Sequence, residues 1–209
     1  MPFEFNFESA GGVQFSCDIL SEQCACIKAD GTRCRCVVCI GTPYCHMHLL
    51  HVKHLKVQQS NIPNAGKGLF AIDPKANDNA VLFATKENII MYGGQLINNH
   101  ELNRRYGVYT APYAFKIAHD RYLDGACRRG IGSIVNTRSA RFCNARFSVY
   151  TRGNQSTVTL KASRPIRNRQ EIIVGYGADY DLHEEGCGHA TRALRKAHLE
   201  RYRYINAQG

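Results

Sequence analysis

The alternation of apolar and polar positions changes character along the chain. Residues 1–16 show no clean period and few breakers apart from Gly11-Gly12, and read as an arm. From Leu55 the texture is β. Leu55-Lys-Val-Gln-Gln alternates as a half-buried strand does. Asn61-Ile-Pro-Asn breaks that run, Gly66 and Gly68 bracket a tight turn, and residues 69–72 read as a second strand before a loop over 73–79. Asn88–Tyr92 is a third strand, ended by Gly93-Gly94. Asn99–Tyr106 reads as a short helix with Asn99 as its N-cap. Residues 115–118 and 122–124 form a predicted hairpin, and strands over 156–162 and 171–174 close the β region. Many short strands between irregular turns predict a mainly β fold of small sheets with short helices, not a parallel α/β layout. In the tail, Ala190, Ala193, Leu194 and Ala197 recur at helical spacing while Arg192, Arg195, Lys196 and Arg203 lie off that stripe, predicting a basic amphipathic helix over 189–204.

At 209 residues the chain fits one medium domain plus a small appendage. No apolar run approaches bilayer length, so no membrane partner is expected. The start, Met-Pro-Phe-Glu, lacks the features of a secretory signal. The expected setting is therefore reducing and intracellular, with the nucleus first. Ten cysteines then need an explanation other than disulfides. Cys17, Cys24, Cys26, Cys34, Cys36, Cys39 and Cys45 crowd in before residue 46, which reads as metal binding. Cys127, Cys143 and Cys187 default to buried thiols. The formal charge of +10 is uneven: residues 1–50 hold three basic and five acidic groups, the remainder 24 and 12. A basic part beyond residue 50 suits an acidic or nucleic-acid-associated partner; general solubility charge is the plain alternative.

Cys24-x9-Cys34-x4-Cys39-x5-Cys45-x2-His48 has the spacing of a small zinc knot. Zinc takes four thiolate or imidazole ligands in a tetrahedron, and a Cys-x2-His end puts two of them on one turn. Cys24, Cys34, Cys45 and His48 form the first ligand set, with Cys39 as substitute for any one. Cys17, Cys26 and Cys36, with His46 or His51, are candidates for a second site. Redox-active or inert thiols are the competing reading. Residues 46–54 read as a short helix or an extended exit from the cluster.

Further on, Ala65-Gly-Lys-Gly-Leu-Phe-Ala71, Tyr92-Gly-Gly-Gln95, Tyr122-Leu-Asp124, Ile131-Gly-Ser-Ile-Val-Asn136, Cys143-Asn-Ala145 and Glu171-Ile-Ile-Val-Gly-Tyr-Gly177 follow in order. Taken singly these are a hairpin turn, a core tyrosine, a turn asparagine and ordinary strand ends. In this order, over roughly residues 55–180, they resemble the SET domain, the fold of S-adenosylmethionine-dependent lysine methyltransferases. The resemblance implies that Gly66, Lys67, Gly68 and Leu69 contact the methyl donor and that Asn136 binds it, with Thr137 where the family has histidine. It implies Tyr176 as principal catalytic tyrosine, with Tyr92 and Tyr122 lining the active site and Tyr180 a lesser candidate. Gln95 replaces a family glutamate. The family also threads the chain ending in Tyr-Gly through the loop of the Asn-His segment, a pseudoknot. A three-cysteine zinc site found after some SET domains is not expected, because only Cys187-Gly-His189 stands there.

The implied organisation is an arm (1–16), a cysteine-rich zinc module (17–54), a SET methyltransferase domain (55–181) and a basic C-terminal helix (182–209). The zinc spacing is similar to that of modules preceding SET domains in proteins of large DNA viruses. The implied activity is methyl transfer from S-adenosylmethionine to a protein lysine, with a histone or histone-like tail as substrate and S-adenosylmethionine and zinc as cofactors. The alternative is a catalytically degenerate SET-fold module that binds chromatin or nucleic acid through its zinc knot and basic surface. Target lysine, methylation state and oligomeric state stay open.

Overall fold

The computed structural model describes residues 4–8, 12–107, 111–153 and 155–176. The predicted tail helix over 189–204, Tyr180 and Cys187-Gly-His189 lie outside the described residues. The chain divides after Gly175, and of the second unit Tyr176 alone is described.

The N-terminal stretch is not featureless. β1 (Glu4–Glu8) and β2 (Gln14–Asp18) form an antiparallel hairpin in which Phe5 faces Cys17 and Phe7 faces Phe15. The strict alternation of Glu-Phe-Asn-Phe-Glu was the signal for it. β3 (Ser21–Gln23) and β4 (Val37–Cys39) pair antiparallel, and α1 (His46–Lys53) follows, so residues 46–54 leave the cluster as a helix. That helix ends at His54, whose left-handed backbone (φ 53°) turns its N–H onto the Leu49 and Leu50 carbonyls.

β5 (Leu55–Gln59) pairs with β6 (Lys67–Ala71) from Leu55 opposite Ala71 to Gln59 opposite Lys67. Next come β7 (Val81–Phe83), β8 (Asn88–Tyr92), β9 (Gln95–Ile97) and α2 (Asn99–Tyr106). The cap of α2 is Asn98, not Asn99: the Asn98 side chain accepts from the Glu101 N–H at 2.9 Å. An asparagine three residues before a glutamate is the spacing of a capping box, which places the cap one residue earlier. β10 (Ala114–Ala118), β11 (Arg121–Asp124), β12 (Asn136–Thr137), β13 (Ala145–Arg152), β14 (Gln155–Ala162), β15 (Ile166–Arg167) and β16 (Ile173–Val174) complete the described elements, with short 3-10 turns at Ile131–Ile134 and Ala140–Phe142. β9 joins the β10–β11 hairpin, and β8 joins the β13–β14 hairpin, giving two three-stranded antiparallel sheets. β15 pairs antiparallel with β7, whereas β12 and β16 pair parallel. Among the described residues the architecture is mainly β with two short helices, the predicted class.

Apolar side chains from these small sheets meet in a shared core. Leu55, Leu69, Phe70, Leu160, Ile166, Ile172 and Val174 are almost wholly buried. Beside them Tyr92, Leu123 and Val158 pack with Phe115, Ile117 and Phe147. Among the buried polar residues Asp124 is the most enclosed; it accepts from Arg105 Nη1 and the Tyr106 hydroxyl at 2.8 Å and from the Ala126 N–H at 3.0 Å. A buried charge survives only when paired and bonded in this way. Burial, and then the Asp124 charge, push the Tyr106 hydroxyl pKa far upward, so it stays a donor.

The N-terminal hairpin rests on this network. Phe7 and Phe15 meet the Tyr106 ring at 5.2 and 5.7 Å, and the Arg105 guanidinium lies 5.1 Å from the Phe15 centroid. Cys17 at the end of the hairpin is disulfide-bonded to Cys127, with Cα atoms 5.9 Å apart. This corrects three expectations: a disulfide does account for two of the ten cysteines, Cys17 is not a ligand of a second metal site, and Cys127 is not a free buried thiol. The two residues stand 110 positions apart, a pairing that spacing cannot reveal. The neighbouring Leu20 N–H bonds to the Cys127 carbonyl at 2.8 Å, bringing the segments side by side. A second backbone contact joins Gly41 to Gly130, and a Cβ on Gly41 would lie 2.8 Å from the Gly130 backbone. The cysteine-rich segment therefore seats directly on the β domain.

Candidate functional site

Two constellations bring chemistry-bearing residues together. The first is built around Glu171. Its segment runs antiparallel beside β6: Arg169 N–H bonds to Ala71 O, Ala71 N–H to Gln170 O, and Ile172 N–H to Leu69 O at 2.7 Å. Two residues later the chain is paired in parallel with Asn136–Thr137, Asn136 opposite Ile173 and Thr137 opposite Val174. The Asn144 side chain clamps the same segment, donating to Glu171 O and accepting from Ile173 N–H, both at 2.8 Å. Residues 169–174 are thus gripped on one side by β6 and on the other by β12 and Asn144.

At the centre of that grip the Glu171 carboxylate is 5% exposed. It accepts from Ser60 Oγ at 2.6 Å, Asn61 N–H at 2.8 Å and Asn136 Nδ2 at 3.2 Å. Asn136 Nδ2 also donates to the Lys67 carbonyl at 3.0 Å. Asn136 therefore meets the glycine turn directly. Gly68 fits because it has no side chain: a Cβ there would collide with the Glu171 carboxylate and come within 3.1 Å of Asn136 Nδ2. Gly66 serves differently. Its φ of +69° shapes the turn, and the space where its Cβ would stand is open. Lys67 is exposed, Leu69 is core, and Thr137 is 7% exposed. Ser60 and Asn144 complete the grip; the sequence reading passed over Ser60, which carries no motif.

The predicted tyrosines have separate surroundings. Tyr92 is buried in the aromatic cluster, with Phe147 at 5.5 Å edge-on, and its hydroxyl donates to the Tyr113 carbonyl at 2.6 Å. Tyr122 is half-buried, its hydroxyl 3.4 Å from Asn99 Oδ1. Tyr176 is half-buried and follows Val174 by two residues. Gln95 uses its side-chain oxygen to accept from Arg105 Nη2 at 3.0 Å, so it belongs to the Asp124 network.

The second constellation is metal-like. The ligand atoms of Cys24, Cys34, Cys45 and His48 all lie within 4.8 Å of one another, and all three cysteines are buried. His48 Nδ1 is 3.5 Å from Cys24 Sγ and 3.3 Å from Cys45 Sγ. Zinc bonds of about 2.3 Å to sulfur and 2.0–2.1 Å to nitrogen give tetrahedral S···N edges of about 3.5 Å, so the donor set fits zinc in size and softness. Burial disfavours the Cys24 thiolate, but bonds from the Cys26 and Cys45 backbone and from His48 outweigh it and hold the pKa at about 7. Cys26 lies outside the group; burial and the Cys24, Cys34 and Cys45 charges push its pKa up. Cys39 is also outside the group, on β4, and so is not a substitute ligand in this geometry. Among the described residues no second such group forms.

Solved structures share this arrangement of strands. One is ctPRC2 in an autoinhibited conformation bound to S-adenosylmethionine, at TM-score 0.51 and 20% identity over 72% of this chain and 17% of that one. Another is Chaetomium thermophilum Polycomb Repressive Complex 2 bound to GSK126, at TM-score 0.51 and 20% identity over 69% and 17%. The fold is SET-like. The chain spans about a sixth of the length of these solved chains (17%). No family model matches the chain, and neither does any curated protein. The solved structures named here lend no support to the likeness with modules of large DNA viruses. Among the described residues no helix is long and apolar enough to cross a membrane.

Proposed function

We propose that this chain transfers a methyl group from S-adenosylmethionine to the ε-amine of a protein lysine, with a histone or histone-like basic tail as substrate and the nucleus as its place of action. The observation that carries the reading is the convergence of Asn136 on the Lys67 carbonyl over Gly68, on the segment whose paired strand leads to Tyr176. The SET-like fold supports it. When bound, S-adenosylmethionine supplies an electrophilic methyl group on a sulfonium.

The residues fit that group chemically. Both amide hydrogens of Asn136 are committed, to Lys67 O and Glu171 Oε1, so the side chain offers Oδ1 as an acceptor suited to the donor's α-ammonium. The exposed ammonium of Lys67 suits its carboxylate. A substrate lysine, with an ordinary pKa of about 10.4, must arrive neutral, and a dry channel favours the uncharged amine. Tyr176 would orient that amine through its hydroxyl; alignment of this kind supplies much of the acceleration. Tyr92, its hydroxyl held by Tyr113, would shape a wall, and Tyr122 would line the channel mouth. Zinc held by Cys24, Cys34, Cys45 and His48 would be structural, because four protein ligands leave no open position.

The test is incubation of the full chain with labelled S-adenosylmethionine and core histones. Transfer is expected from the wild type and about 10²-fold less from Tyr176→Phe. Absence of transfer to any protein would overturn the assignment. Thr137 motivates a second reading, a degenerate binding module, because a buried threonine cannot supply the imidazole of the family. Calorimetry with S-adenosylhomocysteine separates the two: micromolar binding supports the enzyme, no heat the module.

A further inference from the structure

Between Asp124 and Glu171 the chain carries ten Arg and Lys residues and no acidic one, while the rest holds seventeen of each sign. The entire net charge thus resides in one segment. Some of its arginines are spoken for: Arg129 stacks on Tyr113, Arg167 donates to Asn79 O, and Arg169 pairs with Asp78. Arg146, Arg152 and Lys161, on the β13–β14 hairpin, form no ion pair among the described residues.

Strand alternation puts Arg146, Ser148, Tyr150 and Arg152 on one face of β13, while Phe147 turns to the other face and joins the Tyr92 cluster. The register sets Lys161 opposite Arg146, Thr159 opposite Ser148 and Thr157 opposite Tyr150. Like charges directly opposite on one face are destabilising unless an anion lies between them. On that face the Tyr150 ring is 65% exposed, and Met91 of β8, opposite Thr159, is 54% exposed. Beyond the Ala145 end, Arg138 and Arg141 lie over the Phe142 ring at 3.9 and 4.7 Å, and Arg164 donates to the Phe142 carbonyl, extending the positive field.

We propose that this open sheet face binds single-stranded nucleic acid, with phosphates on Arg146, Lys161 and Arg152 and a base stacked on Tyr150. The charges match a polyanion, and the hydroxyls of Ser148, Thr157 and Thr159 are donors for phosphate oxygens. The exposed ring between two arginines is what selects the partner. An unpaired base has a face to stack on it; a duplex keeps its bases stacked inside, and an acidic peptide has no comparable surface. Arg146 and Arg152 stand about 20 Å apart along the strand, the reach of about four nucleotides. This surface is independent of the methyl-transfer reading.

Fluorescence anisotropy of the full zinc-loaded chain with labelled uridine and thymidine strands of about 12 nucleotides tests it, across about 50–200 mM salt. Three phosphate contacts predict a log–log salt slope of about −2. Arg146→Ser/Arg152→Ser should remove about 1.4 of that slope and weaken binding tenfold or more, and Arg152→Lys should keep the slope. Tyr150→Ala should weaken binding about tenfold at unchanged slope. Lys75→Ser, off this face, should change nothing, and unchanged melting curves and zinc content of the variants exclude misfolding. Binding of either strand supports the proposal. It is overturned if neither binds at low salt, if Lys75→Ser costs as much as the double variant, or if a duplex or polyglutamate competes as well as a single strand.

Discussion

Glu171 shows how one side chain can tie distant segments together. Its carboxylate gathers Ser60, Asn61 and Asn136 from separate segments, and Gly68 leaves the room for it. Gly68→Ala puts a methyl group into that carboxylate. The expected cost is about 1–3 kcal/mol of stability from overpacking, with loss of S-adenosylhomocysteine binding as the bonds to Asn136 and Asn61 part. Gly66→Ala meets open space and pays only for its positive φ, about 1 kcal/mol. Melting curves and calorimetry on both variants check the contrast; equal effects would mean the turn acts only as a turn. The sequence identified Gly68, Asn136 and Glu171 as motif members, because each sits in a recognisable local string. That Glu171 binds Ser60 was hidden, since a hydrogen bond across 111 positions leaves no local pattern.

At the scale of elements, α2 is a short helix held at both ends. Asn98 caps it, and Glu101 in its first turn accepts from Arg104 Nε at 2.7 Å and Arg105 Nε at 2.6 Å. The bond from Arg104, then that from Arg105, lowers the Glu101 pKa from 4.5 to about 2. A carboxylate depressed in the folded state contributes stability above its unfolded pKa and loses it as pH falls. The melting temperature should therefore drop between about pH 4.5 and 2 with a component that Glu101→Gln abolishes. A variant whose acid profile overlays the wild type would show that the pair is solvated away. Leu55–Gln59, which alternates, and Asn88–Tyr92, an apolar run ended by Gly93-Gly94, were legible in the sequence. β1 and β2 alternate as well, and the reading of residues 1–16 as an arm without a clean period missed it. β12 is two residues long and exists only through its pairing with β16, so no periodicity could announce it, whereas β16 falls within the strand expected over 171–174.

At the scale of the molecule, the cysteine-rich segment and the β domain form one assembly through the Gly41–Gly130 contact and the Cys17–Cys127 bridge. The bonding pattern predicts one zinc per chain by elemental analysis, lost in Cys45→Ser and kept in Cys39→Ser. Retention by the first or loss by the second would redraw the ligand set. Density of cysteines signalled a metal; which four converge depended on the turns between them, and Cys39 was displaced by its place in β4. The bridge also makes residues 17–127 a covalent ring, and Cys24, Cys34, Cys45 and His48 all lie inside it. A protease that cuts once anywhere within that ring leaves a nicked chain of undiminished mass, whose two pieces separate only after a thiol is added.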